Sequence, residues 1–165
     1  MEKYKKIHIW NFPPNLTFIR LNREFKLELF NKLTFSIGSQ QKLIDLINKS
    51  SSKYNIKRKY GRLTLYHWIK GKALSNNRIK NKNIPLWVLI EFSKIISKSK
   101  RTDNKTMEKI EKNIEYYTGW GKSNPIIKPK LPLYLTPEMV SVIFHFVGDG
   151  HIGRKRVSSS YKQMN

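Results

Sequence analysis

The most distinctive chemical feature of this chain is a lone acid that stands between two glycines at the end of an apolar run. Residues 142–150 read VIFHFVGDG, so Asp149 lies between Gly148 and Gly150. The glycines let the backbone turn tightly and approach a partner closely. A carboxylate presented in this way suits Mg²⁺, which binds few protein ligands and keeps waters and substrate phosphates around it. Two such segments side by side would form a two-metal site for phosphodiester cleavage, whereas the alternative is an ordinary core helix that ends in a Gly-Asp-Gly turn.

The histidines near Asp149 leave a second metal chemistry open. His145 precedes Asp149 by four residues, which puts both on one helical face, and His151 follows. Imidazole and carboxylate together can bind a transition metal. The alternative places His145 at a helix interface and gives His151 a phosphate or backbone contact. Two pairs of glutamates with the same spacing are predicted to be solvated helix faces: Glu24 with Glu28, and Glu111 with Glu115.

The charge of the chain is strongly unbalanced. Lys and Arg number 33 against 11 Asp and Glu, so the formal net charge is +22 over 165 residues. An excess of this size favours a polyanionic partner, of which nucleic acid is the commonest. Frequent Lys, Asn and Ile are typical of AT-rich genomes and explain part of the excess, but not the shortage of acids. We therefore expect double-stranded DNA as the partner, with a basic structural or RNA-binding protein as an alternative.

Several other protein classes are excluded or disfavoured by composition. The chain has no cysteine, which excludes a disulfide framework, a cysteine nucleophile, a zinc ribbon and an iron–sulfur site. No apolar run approaches the roughly 18 residues of a membrane span, and the N-terminus carries no signal-peptide pattern. We therefore expect a cytoplasmic protein with no membrane partner.

A short cationic helix is predicted near residues 63–70, where Leu65, Trp68 and Ile69 share the inner face and Gly71 ends the helix. The opposite face carries groups that read bases or bind phosphates. The residues predicted to contact DNA from this helix are Arg62, Thr64, Tyr66, His67 and Lys70. The preceding loop adds Lys57, Arg58 and Lys59, which would bind phosphates without reading sequence.

Helical periodicity on both sides of this segment predicts a mainly α fold. Two short extended pieces are expected within residues 6–21, and Asn22 and Ser39 are suited to cap a first and a second helix. The elements predicted after them are a loop at 49–62, the cationic helix, a loop at 76–82, an apolar helix that begins at Pro85 and a fifth helix at 106–117.

Two stretches resemble the lambda-repressor/Cro-like helix-turn-helix family. Residues 65–72 (LYHWIKGK), followed by Ile84-Pro85-Leu86 and an apolar helix, resemble the end of that family's recognition helix, and residues 38–40 (GSQ) are similar to the start of its second helix. The resemblance implies an N-terminal helical module whose third helix enters the major groove.

The segment around Asp149 resembles the signature helix of the archaeal LAGLIDADG (dodecapeptide) homing endonucleases, proteins associated with inteins or introns. The matched parts are the apolar run with Gly148-Asp149-Gly150 and the proline-containing lead-in at 129–138. The resemblance implies that Asp149 binds catalytic Mg²⁺ and that the helix at 136–150 pairs with its copy in a homodimer. The residues implied at that interface are Ile143, Phe144, Val147, Gly148 and Gly150, with Phe144 at a position where the family has a small residue.

These patterns divide the chain into three parts: a helix-turn-helix domain at 1–118, a Pro/Gly-containing linker at 119–135 and an incomplete LAGLIDADG domain at 136–165. The last part is expected to hold the first helix and at most one strand of an α/β endonuclease domain. The function implied is DNA binding, with Mg²⁺-dependent cleavage of double-stranded DNA if a partner chain supplies the second carboxylate. The alternative is a non-catalytic helix-turn-helix transcriptional regulator or a degenerate endonuclease relic.

Overall fold

The computed structural model describes residues 4–73, 79–80, 82–98, 103–119, 125–141, 150–152 and 157–159. The chain separates into two compact units. The larger unit is His8–Leu131, and the smaller unit combines the chain up to Ile7 with the chain from Pro132 onward.

The larger unit is mainly helical, as the sequence predicts. Its helices are α1 (Arg23–Ile37), α2 (Gln40–Ser50), α3 (Arg62–Lys70), α4 (Leu86–Ser97) and α5 (Asn104–Lys112), with 3₁₀ turns at Ile9–Asn11 and Ser51–Tyr54. Both predicted N-caps are confirmed. The Asn22 side chain accepts hydrogen bonds from the amides of Glu24 and Phe25, and the Ser39 hydroxyl accepts one from the amide of Lys42 at 3.2 Å. These bonds satisfy first-turn amides that have no partner within the helix.

Short antiparallel strands complete the larger unit. They are β2 (Phe18–Leu21), β3 (Lys72–Ala73), β4 (Ile79–Lys80), β5 (Ile84–Pro85), β6 (Ile114–Thr118) and β7 (Ile126–Ile127). The order β5-β2-β6-β7 forms one sheet, and β3 and β4 form a separate hairpin directly after α3. β4 therefore lies in the predicted loop at 76–82, and β7 in the predicted linker.

The predicted fifth helix is too long by five residues, because α5 ends at Lys112 and β6 follows. Asn113 ends the helix by donating its amide to the carbonyls of Glu111 and Ile110. The residues that follow it are rich in β-branched and aromatic side chains, which favour a strand. β2 then provides the partner, with Leu21 opposite Ile114 and Ile19 opposite Tyr117.

α4 forms the centre of the hydrophobic core. Every residue from Leu86 to Ser93 is buried, and all of them except Glu91 and Ser93 are apolar. α4 packs against α1, α2 and α5. Phe92 meets Phe30 of α1 edge to face, with ring centroids 5.4 Å apart.

The smaller unit contains β1 (Lys6–Ile7) paired with β8 (Leu133–Tyr134), and β9 (Gly150–Ile152) paired with β10 (Val157–Ser159). The prediction of at most one strand after the signature motif is therefore wrong, because two strands form an antiparallel pair there. The predicted helix start is confirmed: residues 137–141 are helical, and the Thr136 hydroxyl accepts a hydrogen bond from the amide of Met139 at 3.3 Å.

Candidate nucleic-acid interface

α3 has a buried face and an exposed face. Leu65 and Trp68 are 1% and 4% exposed, and they fix the helix to the core. Arg62, Tyr66 and Lys70 lie on the exposed side. These three follow the i, i+4, i+8 spacing that puts side chains in one row along a helix. The row lies outside the buried face, so it is open to a large partner.

Thr64 and His67 lie on one flank of α3 and are half-buried. Leu63 was not among the predicted contact residues, yet 68% of it is exposed. An apolar residue so exposed within a basic surface suits contact with a thymine methyl group. The sequence signal for Leu63 was available, because it lies two residues from Leu65 and therefore off the buried face.

The other flank of α3 contacts α2 through a hydrogen bond between side chains. Arg62 donates from Nε to Oε1 of Gln41 at 2.9 Å. The two residues lie in the first turns of their helices, so the N-termini of α2 and α3 are close together. The bond orients the guanidinium while both side chains stay exposed.

The loop between the second 3₁₀ turn (Ser51–Tyr54) and α3 is fixed to the rest of the larger unit at both of its ends. Tyr54 stacks near Trp87 with centroids 5.3 Å apart, and Tyr60 lies 5.3 Å from the Trp68 ring. The side chain of Asn48 holds the same loop by two hydrogen bonds to the backbone of Tyr60. It donates to the Tyr60 carbonyl at 2.9 Å and accepts from the Tyr60 amide at 2.8 Å. Both tyrosines therefore pack against the hydrophobic core.

Lys57, Arg58 and Lys59 lie between these anchors and are all exposed. The Arg58 guanidinium is 5.8 Å from the centre of the Tyr60 ring, within the range of a cation–π contact. An open groove of about 610 Å³ lies along the loop and includes Lys49, Lys57 and Lys59 among its lining residues. The positive charges of Lys57, Arg58 and Lys59 are therefore adjacent, and they lie on a loop whose backbone is held at both ends.

A buried carboxylate supports the anchor at Tyr54. The Tyr54 hydroxyl donates to Oε1 of Glu91 at 2.8 Å, and Nζ of Lys94 donates to the same oxygen at 2.7 Å. Burial alone would raise the pKa of Glu91, but hydrogen bonds from Lys94, Tyr54 and Ser50 outweigh it, so the pKa lies below its ordinary value. Burial, together with the bond to Glu91, raises the pKa of Tyr54.

A pocket of about 210 Å³ opens beside α3 on the flank that carries Thr64 and His67. Its other lining residues are Phe18, Arg58, Tyr60, Trp68, Lys82, Asn83 and Pro85. None of the described residues that line it is acidic. Lys82 and Asn83 were not among the predicted contacts. Their positions beside α3 depend on the pairing of β5 with β2, which joins residues that are distant in the sequence.

Glu111 corrects one prediction about the paired glutamates. It is 7% exposed rather than solvated. Oε1 accepts the amide of Ile9 at 2.7 Å, and Oε2 lies 3.0 Å from Nδ1 of His8. Glu28 is exposed as predicted and pairs with Lys32. Glu111 therefore joins α5 to the start of the larger unit.

The residues predicted for catalysis and for the helix interface lie mostly outside the described ranges. These are Ile143, Phe144, Val147, Gly148 and Asp149, together with His145, whereas Gly150 begins β9. Within the described ranges, no three His, Cys, Asp or Glu side chains lie close enough to hold a metal ion. None of the helices in that part of the chain has the length and apolar character needed to span a bilayer. No family model, curated protein or solved structure matches this chain.

Proposed function

We propose that this chain is a DNA-binding protein that inserts α3 into the major groove. The observation that carries the proposal is the exposed row of Arg62, Tyr66 and Lys70 on a helix that Leu65 and Trp68 hold against the core. α3 contains no acidic residue, and the chain as a whole carries +22. A helix of this kind can enter the major groove, where each base pair presents a distinct pattern of donors and acceptors.

The pairing of α2 with α3 favours duplex reading over a diffuse basic surface. In helix-turn-helix proteins the N-terminal residues of the second helix contact base edges while the first helix crosses the backbone. Arg62 is the first residue of α3, and Gln41 of α2 is bonded to it. Arg62 is thus suited to read guanine through its remaining donors, and Gln41 is next to the backbone that α2 would cross.

The basic loop supplies the sequence-independent part of binding. Lys57, Arg58 and Lys59 are exposed on a segment that Asn48 and Tyr60 anchor. Anchoring lowers the conformational entropy that the loop loses when it meets phosphates. These residues fix the position of the protein on the duplex, while α3 selects the sequence.

The experiment is selection of the full-length protein against a random duplex library, followed by titration of the enriched duplex at several salt concentrations. We expect one enriched motif and an affinity that falls steeply as salt rises, because bound phosphates release counterions. A duplex with the motif scrambled serves as the matched control and retains the weaker, salt-dependent binding. An affinity that does not change with salt would overturn the proposal.

The second candidate is Mg²⁺-dependent cleavage of DNA by a dimer, and it rests on the resemblance around Asp149. The supporting observation is the capped helix start at Thr136, which precedes the run that ends in Gly148-Asp149-Gly150. Asp149 would hold the metal, which lowers the pKa of a bound water and stabilises developing charge on phosphate. The test is incubation of the selected duplex with Mg²⁺, using Asp149→Asn as the control. Cleavage by the parent chain alone supports this candidate, and intact duplex in both supports the non-catalytic regulator.

A further inference from the structure

The pocket beside α3 brings together hydrogen-bond donors from three separate segments. Arg58 comes from the basic loop, Thr64 and His67 from α3, and Lys82 and Asn83 from the segment before β5. None of the described lining residues carries a carboxylate. A concave site with guanidinium, ammonium, hydroxyl and amide donors selects an anion that can accept several hydrogen bonds at once.

The orientation of Asn83 adds to this donor set. The Tyr116 hydroxyl donates to Oδ1 of Asn83 at 3.0 Å. Because the carbonyl oxygen of the amide is engaged by Tyr116, the Nδ2 group is the end left to serve a ligand. Asn83 is half-buried. The hydrogen bond from Tyr116 of β6 therefore orients its side-chain amide from a different part of the chain.

The size of the pocket limits what can enter it. Its volume is about 210 Å³, whereas sites for drug-sized ligands occupy roughly 300–1,000 Å³. The pocket is thus too small for a whole nucleotide and suits one phosphate group with its waters. Trp68 and Pro85 contribute apolar surface to the lining, beside the donors that would bind such a group.

We propose that this pocket binds a single phosphate group. The assignment of that phosphate to a DNA backbone rests on the proposed function, and the other source of the same chemistry is free inorganic phosphate. Thr64 and His67 then contact phosphate rather than base edges, and the exposed row of α3 reads the groove. Arg58 belongs both to the basic loop and to the pocket, so the phosphates of one DNA strand can contact both.

The first experiment titrates the full-length protein with inorganic phosphate and follows backbone amides by NMR. We expect shifts at Thr64, His67 and Asn83, with binding weakened at least about threefold in Lys82→Gln, because a charge-assisted bond is lost. The matched control is Lys109→Gln, which removes the same charge from an exposed position on α5. His67→Gln is the second pocket variant, and thermal melting of each variant verifies folding.

The second experiment measures binding of the same variants to the selected duplex. Pocket variants that weaken both ligands more than Lys109→Gln support a phosphate pocket that serves DNA. Phosphate binding that depends on the pocket, without any duplex binding, keeps the pocket and overturns the proposed function. If both pocket variants match Lys109→Gln with phosphate and with duplex, the pocket proposal is overturned, even if the protein binds DNA.

Discussion

Arg62 Nε donates to Gln41 Oε1 at 2.9 Å, and this bond joins the first residue of α3 to the second residue of α2. It occupies one of the five guanidinium donors and leaves the terminal nitrogens to face a base. A guanidinium held in one direction is better prepared for bidentate contact than a freely rotating one. The bond therefore links the packing of α2 and α3 to the sequence reading that we propose for Arg62.

Replacement of Arg62 tests this relationship. We expect Arg62→Ala to weaken binding to the preferred duplex by about 1–3 kcal/mol and to relax the preference at one base pair, because a bidentate base contact is lost. Gln41→Ala should act in the same direction but less strongly, since the guanidinium itself remains. The measurement is competition binding against duplexes changed at single positions.

The matched control is Arg23→Ala, which removes an exposed arginine from the first turn of α1. It should lower affinity for all duplexes slightly and equally. A preference that Arg62→Ala leaves unchanged would show that α3 does not read the groove.

The basic loop gives a prediction about salt. Lys57→Ala with Lys59→Ala should weaken binding to every duplex alike and reduce the slope of log affinity against log salt by about 1.8, since each phosphate contact contributes roughly 0.9. The control pair is Lys105→Ala with Lys109→Ala, two exposed lysines of α5. Equal slopes for the two double variants would contradict a role for the loop.

The features that sequence predicted correctly are those set by neighbouring residues. The caps at Asn22 and Ser39 depend on amides two and three residues away. The two faces of α3 follow from helical periodicity. Gly71 ends α3 with φ +85°, a conformation that glycine adopts without a steric penalty.

The features that sequence missed depend on distant partners. Residues 114–118 form a strand because β2 is paired beside them, although apolar periodicity predicted that the helix would continue to residue 117. In α1, Lys26 is 2% exposed and burial lowers its pKa, whereas Leu27 is only half-buried. The pocket likewise depends on Asn83, which β6 orients from 33 residues away. The β-branched and aromatic residues at 114–118 are a local signal for a strand, but no local pattern indicates the burial of Lys26 or the orientation of Asn83.

Glu111 provides a prediction about stability. Its carboxylate accepts the Ile9 amide and contacts His8, so Glu111→Ala leaves a buried amide without its partner. Hydrogen bonds to charged groups contribute about 1.5–3 kcal/mol each, and we expect a loss of roughly 2–4 kcal/mol in the free energy of unfolding. Urea denaturation measures it. Glu108→Ala, an exposed neighbour on α5, should change stability by less than about 0.5 kcal/mol, and a similar loss in both variants would contradict the role of Glu111.

The buried carboxylate of Glu91 gives a prediction about how the free energy of unfolding depends on pH. Its pKa is lower in the folded chain than the ordinary value of about 4.3, so the unfolded chain binds more protons between the two values. The stability that Glu91 contributes is therefore complete above about pH 4.3 and is lost as the pH falls through the folded pKa. Glu91→Gln should be less stable than the parent chain at pH 7 because its bonds to Tyr54 and Lys94 lose the charge, yet it should lose less stability between pH 5 and 3. Urea denaturation at a series of pH values measures both effects. Glu108→Gln, the exposed control, should follow the parent curve, and an acid slope unchanged in Glu91→Gln would show that the carboxylate is protonated equally in the folded and unfolded chains.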